Sequence, residues 1–455
     1  APAILNGTIG TWAVIQGAGA DNSGTYATIA GGNIVSATYG GSGDIDIAGG
    51  ATQLFDATGG ILTADRSAYA FRTNANVDLA GFILNVGAAN SGTVGQAGII
   101  LNAGADITGV AGSGLHYGTN ALNVYVDDAA VSSINAPITN FRSNVNNTLT
   151  TGFVKTGPGT LELGGANQFQ GNIQVNQGTL SLTAANVIPM FGNLNGVIGS
   201  EVIIQPGATV ALNGNNQEFG NLSGGNQGAA FQFSGGVLDL GGATLTVGRN
   251  TGDRTFSGQL VGGAGSKLVK VGSSRLILAN YNGGSPNSLE TLDIAQGTVE
   301  TRVNDLSWSQ PGTLASGIPS STEVLLRGGQ WSIRAVGDST GNSERIVVGN
   351  NIVHQGGDSY IDVNRPEGSG SSKLLTFGTL SLDVQRFGVT ALGVGQVAVG
   401  HGSGQLGPEL VVVVAAPRPG VGAGGRVDHA VDPGPERGAG AHGAGLAARV
   451  QGGPH

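Results

Sequence analysis

The sequence contains no cysteine. Disulfides and thiolate metal sites are therefore excluded, and a chain without thiols suits export in an unfolded state, where a premature crosslink would block passage. Charge is scarce as well. Asp, Glu, Lys and Arg make up 11% of 455 residues, the net charge is −9, and the only lysines are Lys155, Lys267, Lys270 and Lys373. A phosphate-binding surface needs clustered Lys and Arg, and none stands before the C-terminal tail, so no nucleic acid partner is expected. No apolar run approaches the ~20 residues a helix needs to cross a bilayer, and no membrane-spanning segment is expected. No stretch longer than a turn carries a capped 3.6-residue period, so helix should be nearly absent. Beginning at Ala1 rather than Met, the sequence reads as a processed form or a fragment, any signal peptide being already gone.

What is abundant is glycine, 84 residues, where ~7% of a chain is usual. Up to Asn364 the sequence is also rich in Asn, Thr and Ser. Gly and Asn tolerate the positive φ of tight turns, so this mixture suits many short strands joined by corners. No Gly-X-Y period is present, which excludes collagen.

One unit keeps returning: a glycine, one residue, then apolar–polar–apolar. It stands at Gly159–Leu163, Gly178–Leu182, Gly236–Leu240, Gly329–Ile333 and Gly378–Leu382. Alternation of period two marks a half-buried strand, and the glycine before it marks a corner. Strand-plus-corner units recurring for nearly 400 residues point to a repeat architecture. The irregular spacing argues against a propeller, whereas a β-solenoid tolerates it because each coil only has to stack on its neighbours. Coils of ~20–25 residues stacked ~4.8 Å apart would give a rod on the order of 80 Å. Within it, Leu161, Leu163, Leu180 and Leu182 are expected to point into one core. Asparagines at turns, among them Asn146, Asn147, Asn215, Asn216, Asn350 and Asn351, are expected to stack in register and hydrogen-bond along the ladder. Gly159 and Gly178 are expected at corners whose backbone angles other residues adopt poorly.

The stretch Phe153–Leu182, FVKTGPGTLELGGANQFQGNIQVNQGTLSL, resembles the autotransporter-associated β-strand repeat, or passenger-associated transport repeat, of bacterial surface proteins. It supplies that unit without a gap: Val154, Lys155, Thr156, Gly157, Gly159, Thr160, Leu161, Leu163, Gly165, Asn167, Phe169, Gly171, Ile173, Val175, Gly178, Thr179, Leu180 and Leu182. A degenerate copy spans 268–302 and lacks the Gly-Thr corner, Ser274 and Arg275 standing there, which leaves its turn geometry open. The resemblance covers roughly Ala121–Leu382, and the N-terminal third by style. It implies an all-β, right-handed parallel β-helix, exported and displayed at the cell surface and outer membrane. It also implies that Lys155, Gly157, Gly159, Leu161, Leu163, Gly165, Asn167, Gly171, Gly178 and Leu180 are structural residues of a repeat without catalytic residues or cofactors. Partners consistent with it are further copies of the chain, or carbohydrate on a cell or host surface.

Residues 1–384 read as the rod. From 385 to 455 the composition changes: six of fifteen prolines and four of six histidines lie beyond position 400. This tail reads as low-complexity or frame-shifted sequence unable to build a core, with Leu410–Val414 adding at most one strand.

Four motifs invite chemical readings. Gly337–Gly341 fits the Gly-x-Ser-x-Gly of a nucleophile elbow, but strands flank it where a strand-to-helix turn is required. Gly40–Ile47 approaches the calcium nonapeptide with its aspartates displaced and no tandem copy, so a plain turn is expected. Asp127 and Asp128 suggest the calcium clusters of β-helical polysaccharide lyases, yet neighbours in a strand face opposite sides. Gly402–Gly407 fits Gly-x-Gly-x-x-Gly, but Pro408 and a valine run follow instead of a helix. The reading carried forward is a non-enzymatic surface β-helix. A filament subunit and a carbohydrate-active β-helix are its alternatives.

Overall fold

A computed structural model describes residues 4, 6–17, 23–87, 97–118, 121–127, 131–140, 151–190, 199–225, 235–280, 287–304, 318–336, 344–364 and 373–382, with strands at 387–390, 397–401, 409–414 and 426–429. It is an all-β parallel β-solenoid. The one helical segment among the described residues is the 3-10 turn Ile45–Ile47. Two compact units are present, residues 1–227 with 234–245, and residues 228–233 with 246–455.

In the first unit three stacks of parallel strands make the walls of the coil. One stack runs through Arg66–Thr73, Ala97–Leu101, Leu122–Val126, Thr151–Thr156, Asn172–Val175, Glu201–Ile204 and Asn221–Ser223. A second runs through Val77–Asp78, Ile107–Thr108, Val131–Ile134, Thr160–Leu163, Gly178–Leu182, Ala208–Ala211 and Val237–Asp239. A third, shorter stack contains Ile83–Val86, Gly114–Tyr117 and Ile138–Asn140. Alternation along each strand sends one set of side chains inward. Leu161 lies beside Leu180 and Leu163 beside Leu182 in register, and all four are fully buried, as the pattern requires.

The second unit repeats the scheme. Lys267–Lys270, Thr291–Ile294, Glu323–Leu326 and Ile352–His354 form one stack. Arg254–Phe256, Arg275–Leu278, Thr298–Asn304, Gln330–Val336, Ser359–Asn364 and Phe387–Thr390 form another. Trp331 and Ile333 are fully buried here.

Two features depart from a parallel rod running from residue 1 to 384. First, parallel stacking begins at Gly41. Before it, Val14–Gln16, Gly24–Ala30 and Asn33–Ser36 form an antiparallel meander lying against the outer face of the first stack. Tyr26 is buried among Leu54, Tyr69, Ala70, Ile100 and Tyr125, and its hydroxyl donates to Phe71 O at 3.2 Å. Thr11 donates to Ala97 O at 3.0 Å and accepts from Asn123 Nδ2 at 3.1 Å, while Asn102 exchanges two bonds with the Gly24 backbone. Gly98 makes room for this approach: a Cβ there would stand 2.8 Å from the Tyr26 hydroxyl.

Second, the tail supplies more than one strand. Phe387–Thr390 extends a stack in parallel, and Glu409–Val414 pairs antiparallel with both Lys373–Leu382 and Val397–His401. Arg426–His429 pairs antiparallel with Phe387–Thr390. The physical reason is that the last rung of any stack presents unpaired N–H and C=O groups, which favour whatever extended segment follows. Residues beyond 429 lie outside the described residues.

Candidate functional site: the lysine-filled corner of the repeat

Lys155 occupies an unusual place. Along Thr151–Thr156 the inward positions are Phe153 and Lys155, and the column through Lys155 reads Val124, Lys155, Val175, Ile204. A cation thus stands in a row of core residues, fully buried. Its ammonium turns to the corner where the strand ends and donates to Thr156 O at 2.9 Å, Gly157 O at 2.8 Å and Gln177 O at 3.1 Å. The first two oxygens belong to its own coil and the third to the next, so one side chain fastens two successive corners. Burial pushes the Lys155 ammonium down to about 7; the three carbonyl acceptors act against that push, because each favours the charged donor.

The glycines around it have different reasons to be glycine. Gly157 has φ +77° and Gly178 φ +67°, a region costing an L-residue roughly 1–2 kcal/mol. A Cβ on Gly178 would also overlap Gly157 O and Gly159 O and stand 2.6 Å from Pro158 O. Gly159 does not have a positive φ, contrary to the expectation from sequence. Its constraint is space, since a Cβ would overlap Asp127 O on the preceding coil. Gly171 is a left-handed corner at φ +101°, and Gly165 is pressed against Ala136 O, which a Cβ would meet at 2.7 Å. Asn167, nearly buried, accepts from Ile138 N at 3.0 Å and donates to Val187 O at 3.2 Å. Phe153 and Phe169 stack with centroids 5.6 Å apart.

The degenerate copy keeps this geometry. Lys270, again buried, donates from Nζ to Val271 O at 2.6 Å and Gly272 O at 2.9 Å. Burial pushes it down to about 8, with Asp253 pulling the other way. Gly272 (φ +66°) and Gly297 (φ +67°) match Gly157 and Gly178. Ser274 stands where Gly159 would be, and its hydroxyl donates to Asn250 O at 3.2 Å. The turn survives because that position never needed a positive φ. The column above Lys270 continues through Ile294 and Leu326 to His354, whose Nε2 lies 2.9 Å from Gly357 O. His354 is thus a second type of nitrogen on a corner carbonyl. No sequence signal announced it, because the lysine motif is absent there.

Of the turn asparagines, Asn146 and Asn147 lie outside the described residues. The others bond to backbone rather than to one another. Asn215 donates to Leu182 O, Asn216 accepts from Thr244 N, Asn350 donates to Pro319 O and Thr322 O, and Asn351 accepts from Thr379 N. A corner leaves N–H and C=O groups without ladder partners, and the amide meets that need first.

The chemical motifs resolve into structure where they are described. Gly41–Gly43 is a short strand, and Asp46 is occupied by Thr63 and Arg66, the Arg66 contact being 3.0 Å. Asp127 is buried and accepts from Ala103 N at 3.0 Å, while Asp128, Gly337–Gly341 and 402–407 lie outside the described residues. Other charges are spent on each other: buried Asp293 bonds Lys267 and Arg327, Glu300 bonds Arg275 and Arg302, and Asp362 bonds Arg334. Among the described residues no group of three or more His, Asp or Glu is placed to hold a metal ion, and no helix is long and apolar enough to cross a membrane.

The fold and its lysine-fastened corners define a parallel β-solenoid repeat protein. Residues 153–182 match the family model of the passenger-associated-transport-repeat. The repeat marks a passenger-like domain, which is surface-exposed or secreted. No curated protein and no solved structure matches the chain.

Proposed function

We propose that the chain is a non-enzymatic, passenger-type β-helix displayed at a bacterial outer membrane, where it acts as a stalk or adhesin. The working part is the rod up to residue 384, and the ten motif positions from Lys155 to Leu180 serve as its structural repeat. The observation that carries this reading is the gap-free repeat at 153–182, whose most chemically capable group, Lys155, is buried and turned onto backbone oxygens. The buried carboxylates Asp293, Glu300 and Asp362 are likewise engaged, each by arginine or lysine. The partner surface is then the outer wall of the solenoid, offered to carbohydrate on a cell or host surface or to other copies of the chain.

The test incubates the purified chain with surface polysaccharides and measures both retention and newly released sugar ends. Retention without release is expected. Release of reducing or unsaturated ends would replace this reading with a carbohydrate-active β-helix. Long fibres of uniform width in electron micrographs would replace it with a filament subunit.

A further inference from the structure

The corner around Lys155 has the makings of a cation site in its own right. Three carbonyl oxygens, of Thr156, Gly157 and Gln177, converge on one point at 2.8–3.1 Å, the range of charge-assisted N–H···O bonds. The walls are backbone. Gly157 and Gly178 are both left-handed, and the carbonyl oxygens of Gly157, Pro158 and Gly159 press on Gly178 so closely that no Cβ fits. Oxygens oriented by a rigid turn cannot swing away when the charge between them is removed. Rings of backbone carbonyls replacing a hydration shell are how proteins hold potassium-sized ions. A related corner stands in the second unit, with Lys270 on two oxygens of its own coil, Val271 O and Gly272 O, beside Gly297. Two corners of differing sequence therefore aim backbone oxygens at a lysine ammonium, three at Lys155 and two at Lys270, which makes the feature a property of the turn rather than of one lysine.

We propose that each of these corners is a monovalent-cation cage made of backbone oxygens, and that the lysine is its tethered occupant. Cutting the side chain back to Ala leaves the oxygens in place and opens a space along the lysine stem. The cage then takes a free cation of the size of ammonium or potassium. Sodium is too small to reach all the oxygens at once, and choline is too large to enter. Met in place of Lys155 fills the stem's space with an apolar chain and keeps cations out.

The experiment compares thermal unfolding of the full chain, Lys155→Ala, Lys155→Met and Lys270→Ala in the chlorides of ammonium, potassium, sodium and choline at equal ionic strength. For Lys155→Ala and Lys270→Ala the midpoint should be higher in ammonium and potassium than in sodium and choline. The expected rise is about 2–4 °C at a tenfold excess of cation over its Kd. The unsubstituted chain and Lys155→Met should show no such order. An Ala variant that folds only in ammonium or potassium supports the cage. Equal midpoints in all four salts for both Ala variants, or failure of both to fold in any salt, overturns it. An identical cation order in the unsubstituted chain overturns it too, since the cages are then not the cause.

Discussion

Lys155 and Gln177 stand on successive coils, and the ammonium of the first donates to the backbone oxygen of the second at 3.1 Å. Stacked coils are also joined by strand ladders, apolar columns and other side-chain bonds such as that of Asn215 to Leu182 O. The Lys155 bond joins them at a corner, where ladder bonds run out.

Replacing Lys155 by Met should therefore destabilise the first unit, although Met suits a core. The ammonium would vanish while Gly157 O stays buried and Thr156 O and Gln177 O stay part-buried, and an unsatisfied buried acceptor costs ~1–3 kcal/mol. Urea unfolding should show a lower midpoint with an unchanged slope. A midpoint equal to that of the unsubstituted chain would mean that water reaches those oxygens.

The same lysines make stability depend on pH. Burial places Lys155 at about 7 and Lys270 at about 8, below the ordinary 10.5. Between those values and 10.5 the unfolded chain holds more protons than the folded one, so stability should rise with pH across that window. Unfolding midpoints at pH 7, 8.5 and 10 should climb, and the climb should shrink in a Lys155→Met, Lys270→Met double variant. A flat profile would show that the carbonyls offset the burial in full.

Gly178→Ala and Gly297→Ala should each destabilise by at least ~1–2 kcal/mol, because φ near +67° is strained for an L-residue and the Cβ also meets carbonyl oxygens. Ser274→Gly should cost ~0.5–1.5 kcal/mol through the lost bond to Asn250 O. Thermal unfolding separates the two cases. Equal losses at Gly297 and Ser274 would mean that φ is not the dominant constraint.

Gly98→Val should displace the N-terminal meander and spare the core. The position faces outward, under Thr11 and Tyr26, whereas its neighbour Ile99 faces inward. Hydrogen exchange by mass spectrometry should show faster exchange over 24–36 with 122–126 still protected. Unchanged protection at 24–36 would show that the meander tolerates the added side chain.

The leucine pairs were legible because alternation has one meaning in a stacked strand: Leu161 and Leu180 could hardly lie elsewhere. Gly178 was legible for its backbone angle, but Gly159 was read for the wrong cause, since crowding by Asp127 O arises between coils that sequence spacing does not bring together. Lys155 could be matched to a motif, yet pattern alone places lysine outside a core. Only the corner's converging oxygens explain why it is inside. His354 and the meander had no signal at all. The meander's partners, Ala70, Gly98 and Ile100, become neighbours only once the coils have stacked, whereas Gly357 O lies three residues from His354, in a local turn that the strand pattern does not describe.

The meander has a consequence for the order of events in folding. A coil of a solenoid can close on the one before it, so assembly needs only short-range search. The bonds from Thr11 to Asn123 and from Gly24 to Asn102 instead join residues 112 and 78 positions apart. Their docking surface does not exist until strands from Arg66–Thr73 to Leu122–Val126 are side by side. The first segment of the unit is thus among the last to settle, and closing so long a loop is slow. Once settled it ties together coils that touch only their neighbours, so that unzipping from that end must begin with its release.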